Sequence, residues 1–471
     1  MSKKVLFLFL LVSSLVLFVA CGGSETPVTP QASVAAGTTE IAGDQADAAE
    51  NVVDIADAGE PTSIQYIPFE RRNARDMGGI TLIANAWWLN WDWDVVREPD
   101  EPGIRSLYTI YRDAERRWNV NIEWTVAGWG ENMELLATSV LAGAPFADMV
   151  RLENFQAMPS AVARGLLTPF EHIPEYINFD EIDPGILAFS RFGNYHYGYV
   201  YGYQSGDGVF FNRDIIEREG LTCPFELFEN DQWNWDSFRY MSNRATRIAA
   251  DGTIEQYGIA AHPGTLAFFL MLSNGGQMVD EVAELFVGDS INTIEAFEFL
   301  QQLTVHDNVV NWYDVERYVY LDGRALFIPM GPWFSSNIRD EMGPNFGFIP
   351  FPVGPRGSGH HSISTGPNMW FVPRGANPLM LTIYHESRRE SGLYYNPDPD
   401  AWAEWFSFDQ RSFDIVATMR HSTLTDRFRG FGIDDLLPWD ELATGEVQPT
   451  SLMESIRAAA QDMVDDIFLN F

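Results

Sequence analysis

An α/β fold in two lobes, each built on a mixed and mainly parallel sheet flanked by helices, is what this sequence predicts. Short apolar runs alternate with stretches in which apolar residues recur at helical spacing, the pattern of parallel strands joined by crossover helices. The 471 residues exceed what one hydrophobic core usually serves, so the mass must divide. Only two cysteines occur, Cys21 and Cys223, so ordinary core packing rather than a disulfide framework has to hold the lobes together.

The elements follow in order. Residues 80–84 form a short apolar run ending in Asn85, Ala86, Trp87 and Trp88, a buried strand that enters a loop. Ile104, Leu107, Tyr111, Ala114 and Trp118 then recur at spacings of three and four, giving a helix with one apolar face. A strand over 120–126, a helix over 133–142, a strand over 148–152 and a helix over 158–164 closed by Gly165 continue the alternation. Further on, 208–212 reads as a strand, and Asn234-Trp235-Asp236 caps a helix. Gly323 ends another helix before a strand over 325–330, and Pro332 suits the first position of the next helix. Leu452, Ile456, Ala459, Met463 and Ile467 predict the final helix. There is no internal repeat.

Residues 1–20 read as an export signal: Lys3 and Lys4 open it and an apolar run over 5–19 follows. Its tail, Phe18-Val19-Ala20-Cys21, resembles a bacterial lipobox, although Phe18 holds the place usual for Leu. That resemblance implies lipid on Cys21 and attachment to the cell membrane. Residues 21–78 are rich in Ala, Thr, Gly, Asp and Glu with hardly an aromatic, a composition expected to stay a disordered acidic tether. With 66 acidic residues against 30 basic ones, the net charge of −36 excludes nucleic acid as a partner.

Catalytic and metal signatures are absent. The His residues lack ligand spacing, and His385-Glu386 has Arg389 where a second His would be required. No nucleophile elbow, phosphate-binding loop or dinucleotide fingerprint occurs, so no cofactor is expected. The acidic clusters lack the glycine of a calcium loop. Candidate site residues come instead from topology, because ligands of open parallel sheets sit beyond the carboxyl ends of strands. Asn85, Trp87 and Trp88 follow the first strand, Glu153 and Asn154 the third, and Trp333 the strand over 325–330. Glu153 and Asn154 serve equally well as caps of the next helix. A flat indole suits the C–H face of a sugar ring, while amide and carboxylate groups suit its hydroxyl rim.

Several segments in order resemble the extracellular solute-binding proteins of bacterial sugar importers. They are L-L-A-T-S-V-L-A-G-A-P-F-A-D-M-V over 135–150, Gly165-Leu166-Leu167-Thr168-Pro169-Phe170, Phe210-Phe211-Asn212-Arg213-Asp214 and Trp233-Asn234-Trp235-Asp236. Most specific is D-G-R-A-L-F-I-P-M-G-P-W-F-S-S-N-I, followed by F-G-F-I-P-F-P-V-G-P, which is close to the pattern of maltodextrin-binding proteins. The resemblance implies a periplasmic-binding-protein-like fold whose lobes, 79–205 with 350–390 and 206–349 with 391–471, close on the ligand about a hinge. It implies that Gln204 and Ser205 lie where the chain crosses between lobes, and that His262 and Thr265 belong to the contact loop of the second lobe. It also implies a monomeric, non-enzymatic receptor that binds a carbohydrate, expected to be an oligosaccharide, and passes it to a membrane permease. The rival expectations are a receptor for a non-sugar solute, a secreted glycoside hydrolase with paired carboxylates, and an adhesion lipoprotein without a small ligand. Residues 391–439 match nothing in the resemblance.

Overall fold

The computed structural model describes residues 52–54, 76–87, 107–201, 206–391, 409–419 and 422–471. The signal, Cys21 and Ile104 lie outside the described residues. Thirteen of the strands are numbered along the chain. They are β1 (Val52–Asp54), β2 (Ile80–Ala86), β3 (Val120–Val126), β4 (Met149–Glu153), β5 (Gly198–Tyr199), β6 (Gly208–Asn212) and β7 (Ile254–Ala260). The remainder are β8 (Val310–Asn311), β9 (Ala325–Met330), β10 (Phe346–Ile349), β11 (Ser362–Ile363), β12 (Asn368–Phe371) and β13 (Ser422–Leu424).

The first lobe is built on the order β3-β2-β4-β12-β5. Strands β2, β3 and β4 run parallel, whereas β12 returns antiparallel to β4 and β5 antiparallel to β12. Helix Leu107–Trp118 covers this sheet with Ile110, Tyr111, Ala114 and Trp118, all buried. The helical spacing therefore places its stripe on the core side. Helix Leu379–Ser391 packs beside it. The helix expected over 158–164 is shorter, Ser160–Ala163, with a separate turn Asn154–Ala157 before it. Pro159 stands between the two, and its missing N–H breaks the ladder.

The second lobe has the order β8-β7-β9-β6-β10. Here β7, β8 and β9 are parallel, β6 pairs antiparallel with β9, and β10 pairs antiparallel with β6. Strand β9 is an unbroken apolar run whose first five residues are buried, as a central parallel strand covered on both faces must be. Asn234 caps helix Trp235–Ala245 by accepting from Ser237 N at 3.1 Å. Gly323, at φ +69°, ends helix Glu316–Leu321 in the left-handed region. Pro332 opens a single 3-10 turn, Pro332–Phe334, before helix Ser335–Met342.

The chain crosses between the sheets after β5 and again around β11. At the second crossing Asp207 N donates to Ile363 O at 2.5 Å and Ile363 N donates to Asp207 O at 3.0 Å, so the two crossing segments pair with each other. Gly206 is required there, since a Cβ on it would stand 2.8 Å from Ile363 O. Strand β13 pairs with β11 and with β1. The stretch expected to be wholly tether thus contributes Val52–Asp54 to a sheet, where two valines and an open strand edge make pairing favourable.

Of the stretch 391–439 that matched nothing in the resemblance, residues 409–419 and 422–439 are described. Helix Gln410–Met419 lies on β10, with Phe348 N donating to Ser412 Oγ at 3.2 Å. Asp426 accepts from Met278 N and Val279 N, and burial pushes its carboxyl up to about 6. The final helix, Pro449–Asn470, is buried along Leu452, Met453, Ile456, Ala460, Val464 and Ile467. The predicted stripe ran through Ala459, which is exposed. At its end Phe468 and Phe471 pack on Phe192 of the first lobe.

Candidate ligand cleft

Parallel β2, β3 and β4 end at one edge of the first sheet, and the segments leaving that edge carry Trp87, Trp129 and Glu153. Trp87 is half-buried and Trp129 is 60% exposed. Asn85 is one residue too early to reach out: it is buried within β2, and its amide donates to Thr125 Oγ1 of β3 at 2.9 Å. Trp88 lies outside the described residues.

At the end of β4 the chain turns in two directions. Asn154 is 0% exposed, and its Nδ2 donates to Phe189 O at 2.9 Å. Gly366, at φ +90°, presses against it so closely that a Cβ there would stand 2.5 Å from Asn154 Cβ. Glu153 points toward the edge. Its N–H donates to Gln156 Oε1 at 3.1 Å, which fixes the start of the following turn. Asn368, directly opposite in register, donates to both Glu153 carboxylate oxygens at 2.9 and 2.8 Å when its amide is oriented to satisfy donor and acceptor. Burial raises the Glu153 carboxyl above its ordinary value, against the opposing pull of Arg151 and Asn368.

In the second sheet the parallel strands β7, β8 and β9 likewise end at one edge, and β6 begins there because Gly208 pairs with Met330. The residues at that edge, read from β8 inward, are Trp312 and Tyr313, then His262 and Thr265, then Trp333, then Asp207. Gly331 shows how tightly the last two are set: a Cβ on it would stand 2.5 Å from Asp207 Oδ1 and 2.7 Å from Trp333 Nε1. The indole of Trp333 is 50% exposed rather than in the core. Burial, reinforced by the nearby charge of Glu153, raises the Asp207 carboxyl to about 7. The charge of Glu153 in the first lobe is thus felt by Asp207, which shares its corner of the second lobe with Trp333.

His262 is exposed and stands at the cap of helix Pro263–Ser273, its Nδ1 accepting from Gly264 N at 3.2 Å. Thr265 is half-buried in the first turn of that helix. Trp439 covers the same helix start, 3.0 Å from where a Gly264 Cβ would be, and donates to Asp434 Oδ1 at 3.1 Å. Gln204 and Ser205 lie outside the described residues. Sequence reading did not single out Trp129, Asp207, Trp312, Tyr313, Asn368 or Trp439. The first, third and fourth of these follow strands that it either placed or could have placed, so the strand-end rule would have found them. Asp207, Asn368 and Trp439 reach the edge only through antiparallel or long-range packing. Among the described residues no group of three or more His, Cys, Asp or Glu could hold a metal ion, and no helix is long and apolar enough to cross a membrane.

The architecture has many solved counterparts. The maltose/maltodextrin-binding domain MalE of Bdellovibrio bacteriovorus, bound to maltotriose, is 14% identical with a TM-score of 0.61, covering 83% of this chain and 100% of that one. The maltose-bound MalE3 of T. maritima is 16% identical with a TM-score of 0.60, covering 82% of this chain and 100% of its own. UspC of M. tuberculosis is 19% identical with a TM-score of 0.56, covering 81% and 100%. At these identities the likeness establishes the fold, that of two-lobed periplasmic binding proteins. The sequence model of one family, the bacterial extracellular solute-binding proteins, matches residues 110–382, more than half of the chain. Membership implies a place outside the cytoplasm. With lobes, cleft and matched segment in agreement, the chain belongs to the bacterial extracellular solute-binding protein family.

Proposed function

We propose that this protein is the lipid-anchored receptor of an ABC importer, that it binds a carbohydrate, in particular an oligosaccharide, between its lobes, and that it delivers the ligand intact to a permease. The observation that carries this reading is the composition of the two strand-end edges. Accessible indoles, Trp87 and Trp129 on one and Trp333 on the other, flank the polar side chains Glu153, Asp207 and Asn368. An indole covers the C–H face of a pyranose, and carboxylates accept from the hydroxyls on its rim. The sugars held by solved counterparts, maltotriose and maltose, support the same ligand class.

Binding to both lobes would favour a closed state over an open one, since a ligand shifts a conformational balance by its differential contacts. Cys21 would hold the receptor at the membrane through lipid, and no chemistry on the ligand is required of it. A thermal-shift and calorimetric screen of sugars, amino acids and polyamines tests the ligand class. Stabilisation by an oligosaccharide with no new reducing ends after long incubation is the expected result. Stabilisation by amino acids or polyamines alone overturns the carbohydrate reading, and glycan cleavage overturns the receptor reading. For the anchor, mass spectrometry of native protein is expected to find a diacylglyceryl-Cys21 start.

A further inference from the structure

The second crossing between the sheets carries two adjacent histidines, His360 and His361, both half-buried just before β11. The loop that leads to them is fixed to the second lobe: Arg356 N donates to Asn274 Oδ1 at 2.9 Å, and its guanidinium donates to both Glu295 oxygens at 2.7 and 2.8 Å. His360 turns back on this loop. Its ring hydrogen-bonds to the Phe351 backbone and lies against Phe228 at 4.8 Å. Nδ1 of that ring is buried with no hydrogen-bond partner among the described residues, so Nε2 is the donor to Phe351. A second proton would sit on Nδ1 facing no acceptor, the cost of any unsatisfied buried donor. His361 reaches the other way, with Nδ1 on Ser422 Oγ of β13 and Nε2 on Ser358 Oγ at 3.0 Å. Beside it Ser362 Oγ meets Thr423 Oγ1 at 2.7 Å, and Ser364 N donates to Leu424 O at 3.0 Å. Ile363 in turn exchanges backbone bonds with Asp207 of the first crossing. The His361 imidazole therefore stands in the seam that joins both crossings to β13.

Both rings are built to stay neutral. Burial holds the two imidazoles below the usual histidine value, and at His360 the neighbouring His361 lowers it further, against the pull of the Phe351 bond and of Asp231. The other charged groups around the seam are few. Arg356 is paired with Glu295, Asp54 stands opposite Ser422 in the β1 register, and His421 lies outside the described residues. Asp207 and Asp426 take up protons with the opposite effect, because there the proton removes a buried charge and on the histidines it creates one. With depressed folded values, the unfolded chain binds protons first as pH falls, so the stability these rings contribute is whole above the ordinary histidine value and is lost below it. We propose that His360 and His361 form an acid-released clasp on the hinge: neutral, they hold the two crossing segments and β13 together, and protonated they let go, so that the lobes move more freely in acid surroundings. Histidine suits such a switch because its charge ordinarily changes between about pH 5 and 8. The inference concerns the hinge alone and holds whatever solute is bound.

The test needs no ligand. Hydrogen exchange of the purified, folded chain without its signal is compared at about pH 5 and about pH 8, corrected for the intrinsic pH dependence of exchange. Protection over 206–208, 359–364 and 422–424 is expected to fall about tenfold in acid, relative to the core strand β9. The double variant His360→Gln, His361→Gln keeps an N–H donor and an oxygen acceptor at each place but takes no charge. Its protection over the same segments is expected to stay within about twofold across that range. Asp207 and Asp426 titrate in both proteins, so the difference between them reports the histidines. His361→Gln alone, whose ring bonds only to serine hydroxyls, serves if the double variant misfolds and is expected to shift the profile in the same direction. An equal acid loss in wild type and variants, or a wild-type loss as large over β9 as over the crossings, overturns the clasp.

Discussion

The ends of β4 and β9 occupy the same place in their two sheets, yet the residues there meet opposite fates. After β4 the chain turns Asn154 inward, fully buried and bonded to Phe189 O, and leaves only Glu153 at the edge. After β9 the sequence Gly331-Pro332 throws Trp333 outward, half exposed beside Asp207. Topology therefore marks a place where ligands can bind, but the local turn decides which side chain is offered. A glycine with no room for a Cβ and a proline preset for a helix start produce the outward turn. A buried amide with a carbonyl to satisfy produces the inward one.

The widest separation should appear between two tryptophans. Trp370 in β12 is fully buried, edge-packed on Trp124 at a centroid distance of 5.8 Å and tilted against Tyr384 at 5.5 Å. Trp370→Ala is expected to cost about 3–5 kcal/mol of stability while the folded fraction keeps its ligand affinity. Trp333→Ala should do the reverse, losing roughly 1.5–3 kcal/mol of binding, about ten- to a hundredfold, with little change in melting temperature. Calorimetric titration and melting of both variants decide the matter. A collapsed melting temperature with wild-type affinity for Trp333→Ala would return that indole to the core and dissolve the contrast.

A second prediction concerns Asp207, the carboxyl at the outward corner. Its folded-state pKa of about 7 lies well above the ordinary carboxyl range, chiefly through burial and then through the charge of Glu153. Well below pH 4 the group is protonated in both folded and unfolded chains and contributes nothing. As pH rises through 4 to 7 the unfolded chain releases its proton first, so stability falls, and above 7 the full cost of a buried charge is present. Asp207→Asn should therefore raise the melting temperature of ligand-free protein at pH 8, by a stability gain on the order of 2–3 kcal/mol allowing for partial solvent access, and the gain should vanish near pH 4. A gain independent of pH would mean that packing, not charge, is relieved.

Much of this architecture is legible in the sequence because it is written locally. The strands 120–126, 208–212 and 325–330, the Asn234 cap and the Gly323 stop are short-range patterns, and the structure has them at those positions. The resemblance over the G-P-W-F-S-S-N-I segment likewise points to the family from a single local stretch. What sequence reading misses depends on distant pairing. Asn368 reaches Glu153 only because β12 returns antiparallel beside β4, and Asp207 reaches the edge only because its segment pairs with Ile363. Periodicity also left the seam of the last helix ambiguous: a stripe through Ala459 fits the spacing as well as one through Ala460 and Val464, and only packing chooses between them. Among 15 tryptophans, composition does not distinguish Trp370 in the core from Trp312 on a loop.

The smallest expected effect tests the inward half of the comparison. Asn154 satisfies the carbonyl of Phe189 inside the first lobe, and its Nδ2 also lies 3.6 Å from Met369 Sδ. Asn154→Ala leaves that carbonyl without its donor and a void beneath Gly366, so about 1–3 kcal/mol of stability should be lost. Ligand affinity should change less than twofold, because the side chain has no surface to offer a sugar. Asn154→Asp is the sharper variant: it keeps the shape but places a carboxylate oxygen against the Phe189 carbonyl, so it should destabilise at neutral pH and recover as acid protonates the new group. Melting curves over pH with parallel titrations would measure both. Unchanged melting with lost affinity for Asn154→Ala would show that the first lobe, too, presents this amide to its ligand, and that the ends of β4 and β9 are used alike.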